Sequence, residues 1–118
     1  MQPRYFTYML TNKYKTVLYT GMTNNLAVRI VGHYIGKEGS FSSNYLAHYL
    51  VWYEETKYVL NAIAREKEIK HLTRAQKEAL INEMNPEWRF LNEEVLGNWP
   101  PTAEQIATVK ERWKVGKS

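Results

Sequence analysis

Two tyrosines, Tyr8 and Tyr19, sit in apolar and β-branched runs on either side of a short polar stretch. Arg29 and His33 stand four residues apart, and Glu66 falls among apolar residues at helical spacing. A phenol near positive charge can take or relay a proton, and a guanidinium engages oxyanions through a planar fork of N–H groups. A carboxylate within an apolar arc is costly unless a cation accompanies it. For Glu66 two partners are open: Lys70, one helical turn later, or a metal ion. Magnesium often takes only one or two protein carboxylates and keeps water and substrate phosphate as its other ligands.

Each group also has an ordinary reading. The tyrosines can be packing residues, Arg29 a solvated charge, His33 a helix-surface side chain and Glu66 half of a helix salt bridge. Competing chemistries are excluded by composition. The chain of 118 residues has no Cys, and its twelve acidic residues are all Glu. Disulfides, thiol nucleophiles, zinc fingers, iron–sulfur sites and an Asp-based triad are therefore absent. There is no glycine-rich phosphate loop and no Gly-x-Ser-x-Gly elbow, and His48 and His71 have no sequence partner that suggests ligation.

The elements that must position these groups can be read from the patterning. Tyr5 to Leu10 and Thr16 to Met22 form a β-hairpin around Asn12 to Lys15. If Thr11 pairs with Thr16, Tyr8 lies directly opposite Tyr19 on one face of the sheet. Asn24 caps a helix from about Asn25 to Ile35, which places Arg29 and His33 on one side. A glycine- and serine-rich loop, Gly36 to Asn44, leads to a third strand over Ala47 to Glu54. A helix over Tyr58 to Leu72 carries Glu66, and Thr73 with Gln76 opens another that ends near Asn85, ahead of Pro86. After a break at Gly97 to Pro101, Thr102 and Gln105 start a terminal helix whose stripe of Ile106, Val109 and Trp113 is expected to pack back on the domain.

Sixteen Lys and Arg give a net charge of +4, and the first 37 residues contain no acid. Such a surface suits a polyanion, although a solvated basic face alone would also look like this. No run of eighteen apolar residues and no signal-peptide core are present, so the expectation is a soluble, cytoplasmic protein with no membrane partner. The residues alone describe a small basic α/β domain in which a single-metal phosphate site and a plain Glu66–Lys70 salt bridge are both open readings.

Phe6-Thr7-Tyr8 and Tyr19-Thr20-Gly21 stand where GIY-YIG nucleases carry their two name-giving triplets. Asn24 to His33 resembles the first catalytic helix of that family, Ala62 to Lys70 its metal-binding helix, and Asn85-Pro86-Glu87-Trp88 an ending common in small stand-alone members. The likeness runs from about Tyr5 to Leu91. The first triplet keeps only its Tyr, and Met22 replaces a Lys that the excision-repair members use, so no phosphate contact is expected at Met22.

The resemblance implies an α+β fold: a small three-stranded antiparallel sheet flanked by helices, with an extra C-terminal helix. It implies a nuclease domain over 1–92 and an extension over 93–118, with its helix at about 102–115. It further implies metal-dependent hydrolysis of DNA, structure-directed and linked to repair or recombination, by Tyr8, Tyr19, Arg29, His33 and Glu66. Glu66 holds one divalent ion, Mg²⁺ or Mn²⁺. Gly21, Asn85, Lys13, Lys37 and Lys70 are the expected substrate contacts. The terminal helix, which the resemblance does not cover, offers a surface for a protein partner or self-association. A nucleic-acid-binding module on the same scaffold, with weak or no cleavage, is the competing reading.

Overall fold

The computed structural model describes residues 2–36 and 46–116, with side chains as far as Lys114. Three strands, β1 (Tyr5–Thr11), β2 (Leu18–Thr23) and β3 (Tyr49–Thr56), form one antiparallel sheet in the order β2-β1-β3. Helices follow as α1 (Leu26–Ile35), α2 (Val59–Lys70), α3 (Arg74–Met84), α4 (Asn92–Leu96) and α5 (Ala103–Gly116). This is the expected α+β architecture. The short α4 was not anticipated, because five residues are too few to show a period.

Strand β1 is central and apolar on both sides, so helices must cover both faces of the sheet. On one face Tyr8, Leu10 and Leu50 pack with Leu26 and Ile30 of α1 and with Leu91. On the other, Met9, Val51 and Trp52 pack with Ile69 of α2 and Ile81 of α3. The Thr7 hydroxyl donates to the Ala62 carbonyl across that second face.

The hairpin departs from expectation by two residues. Thr11 pairs with Leu18, and Tyr8 faces Gly21 where Tyr19 was expected. Asn12 is the cause: its Oδ1 accepts from the backbone N–H groups of Thr16 and Val17, at 2.8 and 3.4 Å, while Thr11 donates to the Val17 carbonyl at 2.7 Å. These bonds hold residues 12–17 as the loop and delay the second strand. Because side chains alternate with a period of two, a slip of two leaves Tyr8 and Tyr19 on the same face.

Helix α1 starts one residue later than predicted, with Asn25 as the cap that accepts from the Val28 N–H at 3.1 Å. The Thr73–Gln76 capping box forms in both directions. Gly32 of α1 leaves room for Trp113, which would lie 3.4 Å from a Cβ placed there. With Val109 also buried, the apolar stripe of α5 is committed to its own domain, and the partner surface expected on it is largely spent.

Strand β3 is an edge strand, and its outer edge is covered from within the chain. Leu91 N–H donates to the Leu50 carbonyl, and the buried Asn92 side chain accepts from Leu50 N–H and donates to the His48 carbonyl, both at 2.8 Å. A bulge at Val51 breaks the regular ladder, since Met9 pairs with Trp52 while Leu10 pairs with Leu50. The Asn85 amide donates to the Val51 carbonyl at 3.0 Å and so satisfies the bulged residue. No helix among the described residues is long and apolar enough to cross a membrane.

Candidate active site

Tyr8 lies at the middle of β1, fully buried. Its ring lies across Gly21: a Cβ at that position would come within 2.5 Å of the phenol oxygen and 2.6 Å of Cζ. The glycine at the end of the second triplet therefore clears space for the tyrosine of the first. Gly21 acts here in packing, not through a side chain of its own toward a substrate.

Helix α1 brings Arg29 and His33 over the same face, one turn apart. Arg29 Nε donates to the Tyr8 hydroxyl at 3.2 Å, and that hydroxyl is 2.9 Å from His33 Nε2. An arginine can only donate, so the phenol oxygen accepts from Arg29, while the tautomer of His33 sets which of the two groups donates in the Tyr8–His33 bond. Tyr19 joins them: its ring centroid is 5.1 Å from His33 and 6.5 Å from Tyr8, and it also hydrogen-bonds to Arg29.

The titration of these groups follows from burial. Burial pushes the Tyr8 phenol up to about 12, with Arg29 opposing and Glu66 adding to the rise. Burial, followed by the charges of Arg29 and His48, lowers His33 to about 4. Its place in the last turn of α1 favours a cation there, but that helix-end effect is the weaker one. Burial disfavours the charge on Arg29, yet its hydrogen bonds to the two phenols outweigh this and its pKa is raised. At neutral pH the cluster is an uncharged Tyr8–His33 pair holding one part-buried guanidinium on a residue that reaches the surface.

Glu66 is the exception among the five. Its helix, α2, packs on the opposite face of the sheet from Tyr8, although its carboxylate is near enough to raise the Tyr8 pKa. It forms an ion pair with Lys70, at 3.6 Å, as the ordinary reading of that spacing anticipated. The Glu66 side chain is only 22 % exposed. Among the described residues no group of three His, Cys, Asp or Glu is assembled for a metal. One half-buried carboxylate supplies hard oxygen ligands suited to Mg²⁺ or Mn²⁺ with water and phosphate completing the shell, so the donor set fits an ion shared with substrate and not a closed protein cage.

The other expected contacts separate. Asn85 is buried and saturated by backbone: its amide donates to the Val51 and Arg89 carbonyls, and its carbonyl accepts from Arg89 N–H. It completes a strand edge and not the site. Lys13 lies at the exposed hairpin tip, over the Tyr14 ring, and Lys70 is taken up by Glu66. Lys37 lies outside the described residues. A cleft of about 620 Å³ at the N-terminal ends of β1 and α1, lined by Arg4, Phe6, Asn25 and Tyr53, contains none of the five candidates.

One neighbour escaped the sequence. His48 is close enough to His33 to lower its pKa, and its own is lowered by burial. The two histidines are fifteen positions apart, and no periodic signal links them.

The chain matches the family model of the GIY-YIG catalytic domain over residues 4–79, which spans β1 to α3 and includes all five candidates. No curated protein and no solved structure matches. The match covers well over half of the chain, and the two triplets stand on adjacent strands with Arg29 and His33 on the helix that follows. The chain belongs to the GIY-YIG nuclease superfamily, as a small member with a helical C-terminal segment.

Proposed function

We propose that the protein is a metal-dependent endonuclease that hydrolyses phosphodiester bonds in DNA, directed by the structure of its substrate and acting in repair or recombination. Family membership supports nuclease activity in general. The observation that carries the finer reading is the buried Tyr8 hydroxyl, which accepts from Arg29 Nε and faces His33 Nε2. A charge placed only for solubility needs no such anchor. Here two buried side chains fix the orientation of a part-buried guanidinium on a residue that reaches the surface, which is what a group meeting a phosphoryl anion requires.

Arg29 has five N–H donors, and the two phenols leave others for phosphate oxygens. Tyr19 is partly exposed while Tyr8 is sealed off, so Tyr19 is the phenol that can meet water. It orients the water for in-line attack on phosphorus, and charge developing on its oxygen is met by Arg29. Tyr8 and His33 act as positioning residues beneath them. Glu66 would hold Mg²⁺ or Mn²⁺, whose contribution when bound is to neutralise charge on the phosphoryl and leaving oxygens.

The test is a panel of single-stranded, duplex, flapped and branched DNA with Mg²⁺, Mn²⁺ or chelator. Metal-dependent cleavage that Glu66→Gln abolishes, with binding retained, is the expected result. Cleavage unchanged in Glu66→Gln would falsify the metal assignment. The Glu66–Lys70 pair favours a second reading, a nucleic-acid-binding module, which holds if no substrate is cut under either ion.

A further inference from the structure

Beside the catalytic cluster runs a connected row of aromatic rings. Tyr34 meets His48 at 5.3 Å between centroids, His48 meets Tyr49 at 4.6 Å, and Tyr49 stacks on Phe90 at 4.3 Å with the planes 22° apart. Trp99 braces Tyr34 edge-on at 5.3 Å. The interior of the row is half-buried, but its ends are open: Tyr34 is 38 % and Phe90 37 % exposed. Single exposed rings need no explanation. A row closed in the middle and partly exposed at both ends keeps ring surface of Tyr34 and Phe90 in solvent, against which further flat groups can pack.

The charge around the row selects the kind of flat group. Lys15 Nζ stands 5.5 Å from the Phe90 centroid, and Lys13 stands 5.7 Å from Tyr14 at the same hairpin tip. Neither lysine takes part in an ion pair among the described residues. Cations interleaved with rings attract a phosphate backbone and stack its bases. At the other end, His48, whose ring meets Tyr34, lies close enough to His33 for its charge to act on it, so the row adjoins the catalytic cluster. The Asn92 amide holds the His48 carbonyl at 2.8 Å, which fixes the middle of the row.

We propose that the row from Tyr34 to Phe90 is a stacking platform for unpaired bases of DNA, leading a single-stranded segment to the catalytic cluster. This deepens the nuclease reading and rests on it for the role of that cluster. Stacking accepts any base, so the platform distinguishes paired from unpaired DNA without reading sequence. A duplex keeps its bases stacked on each other and offers only phosphates to Lys13 and Lys15.

The test measures binding of the full chain in chelator, by fluorescence anisotropy, to an oligothymidylate strand, an abasic strand of equal length and a blunt duplex. The wild type should prefer oligothymidylate to the abasic strand by about tenfold or more. Tyr34→Ala and Phe90→Ala should each lose about tenfold on oligothymidylate and little on the duplex. Phe90→Leu preserves apolar packing on Tyr49 without a ring and should lose as much, while Tyr34→Phe should bind as the wild type does. Equal affinity for the abasic and thymidine strands, or ring-deleted variants that bind oligothymidylate as tightly as the wild type, would overturn the platform. The nuclease reading fails separately: absence of cleavage with the strand preference intact removes that reading and leaves the platform standing.

Discussion

Tyr8 with its two partners and Asn85 with Asn92 are both buried polar sets, and they differ in where their hydrogen bonds end. The asparagines end on backbone, at Val51, Arg89, Leu50 and His48, and the fold consumes all of these bonds. Tyr8 bonds to two side chains that could titrate or carry charge, and one of them, Arg29, reaches the surface. Burial is costly in both cases. In the first it fixes the edge of β3; in the second it fixes the direction of a cation.

Arg29→Ala should break this contrast most strongly. Single-turnover cleavage at saturating protein should fall by about a hundredfold or more, against a small change for Lys13→Ala, while thermal stability stays close to that of the wild type. Arg29→Lys should rescue only in part, because an ammonium lacks the planar fork. Equal rates for Arg29→Ala and Lys13→Ala would move Arg29 to the solvated surface.

Asn92→Ala should act in the opposite way. It leaves the Leu50 N–H and His48 carbonyl without their partner and should lower the unfolding free energy in urea by about 2–4 kcal/mol. A loss below about 0.5 kcal/mol would show that water replaces the asparagine.

His33 gives a pH test of up to about 3 kcal/mol. It titrates near 4 in the fold, against about 6.5 when free. Between these values the unfolded chain holds the extra proton, so stability should fall as pH drops from about 6.5 to about 4 and be flat for this group above that window. His33→Gln should flatten the slope, leaving the smaller contribution of His48, whose pKa is also lowered. Identical slopes in wild type and variant would remove His33 from the account.

Lys70→Ala is the smallest expected effect, below about 0.5 kcal/mol on stability, since a half-exposed pair within one helix is worth little. Cleavage should not decrease. A marked decrease would restore Lys70 as a phosphate contact.

What could be read in the sequence was whatever depends on a short period. Tyr8 and Tyr19 share a face under either register, and Arg29 and His33 share a turn of helix wherever its first residue falls. The Thr73–Gln76 box is local and formed as written. The hairpin register differs from the patterning because Asn12 spends its side chain inside the loop, a choice between local hydrogen bonds that patterning does not weigh. Asn85 looked like a site residue for a related reason: the carbonyl it serves exists only once β3 bulges at Val51. Glu66 lay correctly toward the domain, but the face of the sheet on which α2 packs is a tertiary fact. The rings of Tyr34, His48, Tyr49 and Phe90 come from three separate segments, and only the closed sheet edge assembles them.

The bulge at Val51 also bears on which changes of chain length the protein tolerates. Removing one residue from a strand normally turns every side chain on one side of the gap to the opposite face. At Val51 the ladder already skips a position, with Leu50 and Trp52 opposite the consecutive residues Leu10 and Met9. Deleting Val51 would leave those pairings in phase and remove chiefly the carbonyl that Asn85 holds, so this is the place in β3 where a lost codon costs a hydrogen bond and a buried side chain and leaves the register intact.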